Sequence, residues 1–66
     1  MITNDQIENV YSLIYCNEPR HDNGLLAVDT ARIDVEGYLL DMNFEDSREN
    51  VAAVRERLRS VPWLVR

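Results

Sequence analysis

Thr30-Ala-Arg-Ile-Asp-Val-Glu-Gly-Tyr-Leu-Leu-Asp-Met-Asn-Phe44 is the stretch on which the fold turns. Read with a period of two, it predicts a β-hairpin folded at Glu36-Gly37. Val35 then faces Tyr38, Ile33 faces Leu40 and Ala31 faces Met42, all on one apolar side. The pairs Asp34 with Leu39, Arg32 with Asp41 and Thr30 with Asn43 take the other side, where Arg32 and Asp41 form a favourable cross-strand pair. A slip of one residue would destroy that sorting.

Upstream, Thr3-Asn4-Asp5-Gln6 reads as a capping box, flanked by Ile2 and Ile7 in hydrophobic-staple positions. Ile7, Val10, Tyr11, Leu13, Ile14 and Tyr15 fall on one broad arc of the helix that follows, opposite Asp5, Glu8, Asn9 and Ser12. Pro19 turns the chain away from helix, and Asn23-Gly24 marks a turn before Leu25-Leu26-Ala27-Val28. The odd-numbered alternation of Leu25 and Ala27 runs on into Ala31, Ile33 and Val35. Residues 25–28 are therefore expected to be a strand, bent near Asp29-Thr30.

Downstream, Asp46 or Ser47 caps a last helix whose apolar stripe is Val51, Val54, Leu58 and Val61, ended by Pro62. Arg48, Arg55 and Arg59 share one flank of that stripe, and Trp63-Leu64-Val65-Arg66 forms an apolar segment beyond it. The expected architecture is a single α+β domain over residues 1–66, ordered α-β-β-α, with two helices packed on one face of an antiparallel hairpin. Leu26, Val28 and Leu39 would lie on the other face. Together with Trp63 and Leu64 they form the expected self-association surface of a homodimer, since a chain this short buries only a small core and the hairpin edges would be open.

Composition narrows the function classes. The chain has 66 residues, an apolar fraction of 45%, one cysteine, one histidine and a net charge of −5. It has no internal disulfide and too few Cys and His for a four-ligand zinc site. No apolar run is long enough to span a membrane, and no signal peptide is visible; the cytoplasm is the expected compartment.

Cys16 and His21 are the only residues resembling a nucleophile and base. A thiol at a helix C-terminus near Glu18 and Asp22 is poorly placed to ionise. Glu18, His21 and Asp22 match no calcium loop or other dedicated metal pattern, and two isolated glycines cannot build a phosphate loop. The chain is too short for a deep substrate cleft. The sequence points away from an enzyme and calls for no cofactor and no metal.

What remains is charge placement. Residues 1–47 carry ten acids and two arginines, whereas residues 48–66 carry two acids and five arginines. The acids Asp5, Glu8, Asp34, Glu36, Asp41, Glu45 and Asp46 suggest a face that docks on a basic surface of a partner protein, such as one that handles nucleic acid, with Tyr38, Trp63 and Leu64 as apolar anchors. The leading expectation is thus a small acidic inhibitor acting by protein–protein interaction. Arg48, Arg55 and Arg59 support an alternative, a dimeric regulator that contacts nucleic-acid phosphates through its last helix; opposing it is the net charge. A structural subunit of a larger assembly is a third possibility. Size and acidity suit an accessory protein of a phage or mobile element.

Overall fold

The segment expected to be a hairpin is helical. The computed structural model of the chain, which describes residues 1–66, contains three α-helices: α1 (Asn4–Asn17), α2 (Val35–Asp41) and α3 (Arg48–Leu58). A 3-10 turn at Thr30–Arg32 precedes α2. There is no sheet, only isolated bridges that meet at Leu26. The domain is helical rather than α+β.

Local chemistry explains the correction. The Asp29 carboxylate accepts from the Ala31 amide at 2.9 Å and starts the 3-10 turn, and the Asp34 carboxylate accepts from the Gly37 amide at 3.1 Å and caps α2. A Cβ on Gly37 would stand 2.6 Å from Asp34 Oδ2, so glycine leaves room for the cap instead of making a hairpin turn. At the other end Asn43 adopts φ 61°, Asn43 N–H donates to Leu40 O and Phe44 N–H donates to Leu39 O, both at 2.9 Å. This is a Schellman closure with asparagine in the left-handed position. Between the caps, Val35, Tyr38, Leu39 and Met42 follow helical spacing toward the core. The hairpin register required Leu40 inside and Leu39 outside; instead Leu39 is 0% exposed and Leu40 56%.

The helices expected at either end are present. The α1 capping box forms as read, with Thr3 N–H donating to Gln6 Oε1 at 2.9 Å and Gln6 N–H to Thr3 Oγ1 at 3.1 Å. Ser47 caps α3 by accepting from the Asn50 amide. Val54 and Leu58 are buried; Val61, on the expected stripe, is buried just beyond the helix end. Ile2 meets Asn50 and Glu8 meets Arg57, so α1 and α3 run side by side in the same direction. That parallel arrangement requires the chain between them to cross back, and α2 lies on the return, packed against both.

Residues 18–29 are a loop turned at Gly24, which has φ +89°. His21 N–H donates to Leu25 O and Ala27 N–H to Pro19 O, both at 2.8 Å, which sets Arg20 antiparallel to Leu26. The expected strand over 25–28 thus reduces to one bridged residue. On its other side Leu26 pairs in parallel with Trp63, through Leu64 N–H to Leu26 O at 2.9 Å. Leu26 joins Val10, Ile14, Ile33, Val35, Leu39, Val54, Leu58 and Val61 in one core.

Candidate functional site

Two adjoining depressions occupy the flank between the end of α1, α2 and residues 62–66. The first, about 600 Å³, is lined by Leu13, Asn17, Glu18, Asp34, Gly37, Tyr38 and Asp41. The second, about 500 Å³, is lined by Ala27, Val28, Ile33, Trp63 and Val65 with Glu18, Asp29 and Arg32. Glu18 borders both halves of this grooved flank.

Glu18 is placed there by the end of α1, where its own N–H bonds Ile14 O at 2.9 Å and Pro19 prevents another turn. Its carboxylate accepts a short hydrogen bond from the Tyr38 hydroxyl, which ties α1 to α2. Burial, reinforced by that bond and by the charges of Glu18, Asp41 and Asp34, pushes the Tyr38 phenol up to about 12. The groove therefore holds Tyr38 neutral among several carboxylates. No group of three or more His, Cys, Asp or Glu side chains is gathered closely enough to hold a metal ion. The acids form a spread negative field around an apolar floor.

Four of the seven arginines are engaged elsewhere. Arg57 donates to Glu8 through Nε at 2.6 Å and Nη2 at 3.2 Å, and its guanidinium lies 4.2 Å from the Tyr11 ring centroid. The hydrogen bond from Arg57 holds the Glu8 carboxyl below the usual glutamate range, and the same bond raises Arg57. Arg55 donates to Ala31 O at 3.5 Å and Ile33 O at 3.3 Å and lies 3.8 Å from Glu36. Arg59 pairs with Glu56 at 2.9 Å. Arg20 lies 4.7 Å from the Tyr15 ring centroid.

The residues singled out from the sequence are thus divided. Asp34, Tyr38 and Asp41 line the groove, with Asp34 also capping α2 and Tyr38 half-buried instead of exposed. Glu8 and Glu36 are neutralised by arginines. Asp5, Glu45, Asp46 and Arg48 are exposed and lie outside the groove linings. In the expected self-association set, Leu26 and Leu39 are fully buried core residues and present no surface, because without a sheet there is no reverse face. Val28 is half-buried; Trp63 and Leu64 remain exposed.

His21 does not serve Cys16: its Nε2 lies 2.7 Å from Leu64 O and holds residues 62–66 against the loop. Sequence reasoning missed Glu18 as a groove residue and Asn50 as the one buried polar side chain. Asn50 Nδ2 donates to Glu45 O at 2.8 Å, and its Oδ1 accepts from Ile2 N–H at 3.0 Å. Its spacing, four residues before Val54 and eight before Leu58 on the buried stripe of α3, was the available signal. No protein-family model, curated protein or solved structure matches the chain.

Proposed function

We propose that this chain is a non-catalytic protein-binding module whose acidic surface docks on a basic surface of a partner, as a small inhibitor of a nucleic-acid-handling protein would. The observation that carries this reading is the division of charge. Three ion pairs use Glu8, Glu36 and Glu56 with Arg57, Arg55 and Arg59, which leaves nine of the twelve acids against four of the seven arginines. The surface left to meet a partner is dominated by carboxylates.

The corner from α2 to α3 adds to this reading. Asp41, Glu45, Asp46 and Glu49 are all exposed there against the single exposed Arg48, so a phosphate backbone approaching the start of α3 would meet net negative charge. A basic protein surface would meet complementary charge, which speeds encounter and selects the partner.

The test is a capture experiment from the native host, with the immobilised parent compared with an Asp41→Arg/Glu45→Arg/Asp46→Arg variant. The expected result is a partner with a basic patch, retained by the parent, released by salt and lost by the variant. A partner held equally well by both proteins would overturn the reading.

A further inference from the structure

We infer that the hollow lined by Val28, Ile33, Trp63 and Val65 receives one large apolar side chain of the partner, set between cationic residues that face Glu18 and Asp29. The inference rests on the protein-binding reading above and adds the anchor that charge alone does not supply. Three observations converge on it.

The first is that the hollow exists before anything enters it. Leu64 N–H donates to Leu26 O at 2.9 Å, and Leu64 O lies 2.7 Å from His21 Nε2, so the backbone of residues 62–66 is fastened on its inner side. Trp63 and Val65 line the hollow with Ala27, Val28 and Ile33, whereas Leu64 does not. A preformed site spares an occupant the cost of ordering it.

The second is surface chemistry. Three of the five large apolar residues left exposed, Trp63, Leu64 and Val65, are consecutive. Trp63 is 43% exposed and Val65 54%. Apolar groups gathered in this way mark a contact surface, where singly scattered ones do not. A pocket beside an aromatic is also where a partner's anchor residue contributes most.

The third is charge, which selects the kind of occupant. Glu18 and Asp29 border the hollow itself, and Asp34 and Asp41 lie in the depression past Glu18. Arg32 is the one cation in either lining; it is exposed and makes no ion pair. Cations of an occupant are therefore drawn to Glu18 and Asp29 and repelled by Arg32, which orients the segment that carries them. A second copy of this chain, itself at −5, would bring like charge to the rim.

The probe is a blocked five-residue peptide with two arginines on each side of a leucine. It is titrated into the full chain and followed by Trp63 fluorescence and methyl NMR. Saturable shifts are expected at the Trp63 indole and the Val28, Ile33 and Val65 methyls, weakened by salt. Alanine in place of the leucine should weaken binding about tenfold, as for three carbons partly withdrawn from water. Val65→Asn alters an exposed residue without touching a backbone bond; it should weaken the leucine peptide severalfold and the alanine peptide little. Asp29→Asn keeps the acceptor that starts the 3-10 turn and should weaken both peptides, whereas Arg32→Gln should tighten both.

Equal affinity of the leucine and alanine peptides, or a Val65→Asn effect that is the same for both, would overturn the inference. So would equal binding of a peptide with glutamates for arginines, no gain from Arg32→Gln, no shifts at millimolar peptide, or shifts centred on α3. Sedimentation showing a dimer whose dissociation shifts the same methyls would replace the partner with a second copy and sink it too. Loss of the captured partner on Asp41/Glu45/Asp46 reversal with no effect of Val65→Asn would sink the anchor and keep the protein-binding reading. Retention after the reversal would sink that reading itself.

Discussion

The seam between α1 and α3 and the flank beneath α2 are built from the same kinds of side chain and end in opposite states. Along the seam, Glu8, Arg57 and Tyr11 form a closed set above the buried Val10, Ile14, Val54 and Leu58. On the flank, Glu18 and Tyr38 bond each other, but Asp34 and Asp41 beside them have no cation in the lining. An aromatic and a carboxylate with an arginine between them make a self-sufficient contact. The same pair without the arginine leaves net charge facing solvent. With only seven basic residues, where the arginines are spent decides which surface stays charged.

The largest break in this comparison comes from the core below the flank. Leu39→Ala should cost about 2–5 kcal/mol in chemical denaturation, and Leu40→Ala next to it less than about 0.5 kcal/mol. A hairpin would reverse that order. At the start of the seam, Asn50→Ala leaves the Ile2 N–H and Glu45 C=O without their partner and should cost about 1–3 kcal/mol.

The α2 cap sharpens the flank further. Asp34→Ala should cost about 1 kcal/mol. Gly37→Ala in that background should recover up to about 1 kcal/mol of helix propensity, because the clashing carboxylate is gone. In the parent protein the same methyl displaces the cap, so its gain should be largely cancelled. Equal effects of Gly37→Ala in both backgrounds would refute the coupling.

The smallest effects are in pH dependence, and they have opposite signs on the two sides. Tyr38 is raised from its ordinary value, so its contribution is full below pH 10 and is lost as pH rises toward 12; Tyr38→Phe should remove that alkaline slope from stability curves. Glu8 is lowered from its ordinary value of 4.5, so its contribution is present above that pH and lost as the solution is acidified through the depressed value. A carboxyl titration followed by NMR should show Glu8 returning toward the ordinary range in Arg57→Ala.

The ends of the chain were legible because their signals are local. Thr3 with Gln6 and Ser47 with Asn50 are bonds across one turn, and nothing elsewhere competes with them. Residues 30–44 were not, because their apolar positions fit two periods. Ile33, Val35, Leu40 and Met42 suit the hairpin register, whereas Val35, Tyr38, Leu39 and Met42 suit a helix. The deciding marks were the caps, Asp34 at one end and Asn43 at the other, which a strand would not need. Of the site, the pool of acids was visible as composition. The groove was not, since it depends on Glu18 reaching Tyr38 and on Leu26 reaching Trp63, both set by tertiary packing.

Leu26 is the meeting point of Arg20 and Trp63, and Trp63 is the sole tryptophan of the chain. Its indole is therefore a built-in optical probe of whether residues 62–66 are seated, separate from whether the helices are intact. A melt followed by fluorescence reads that docking, and one followed by helical circular dichroism reads α1 and α3. If the segment lifts before the helices melt, the two curves part. The gap between them then measures how readily the groove opens.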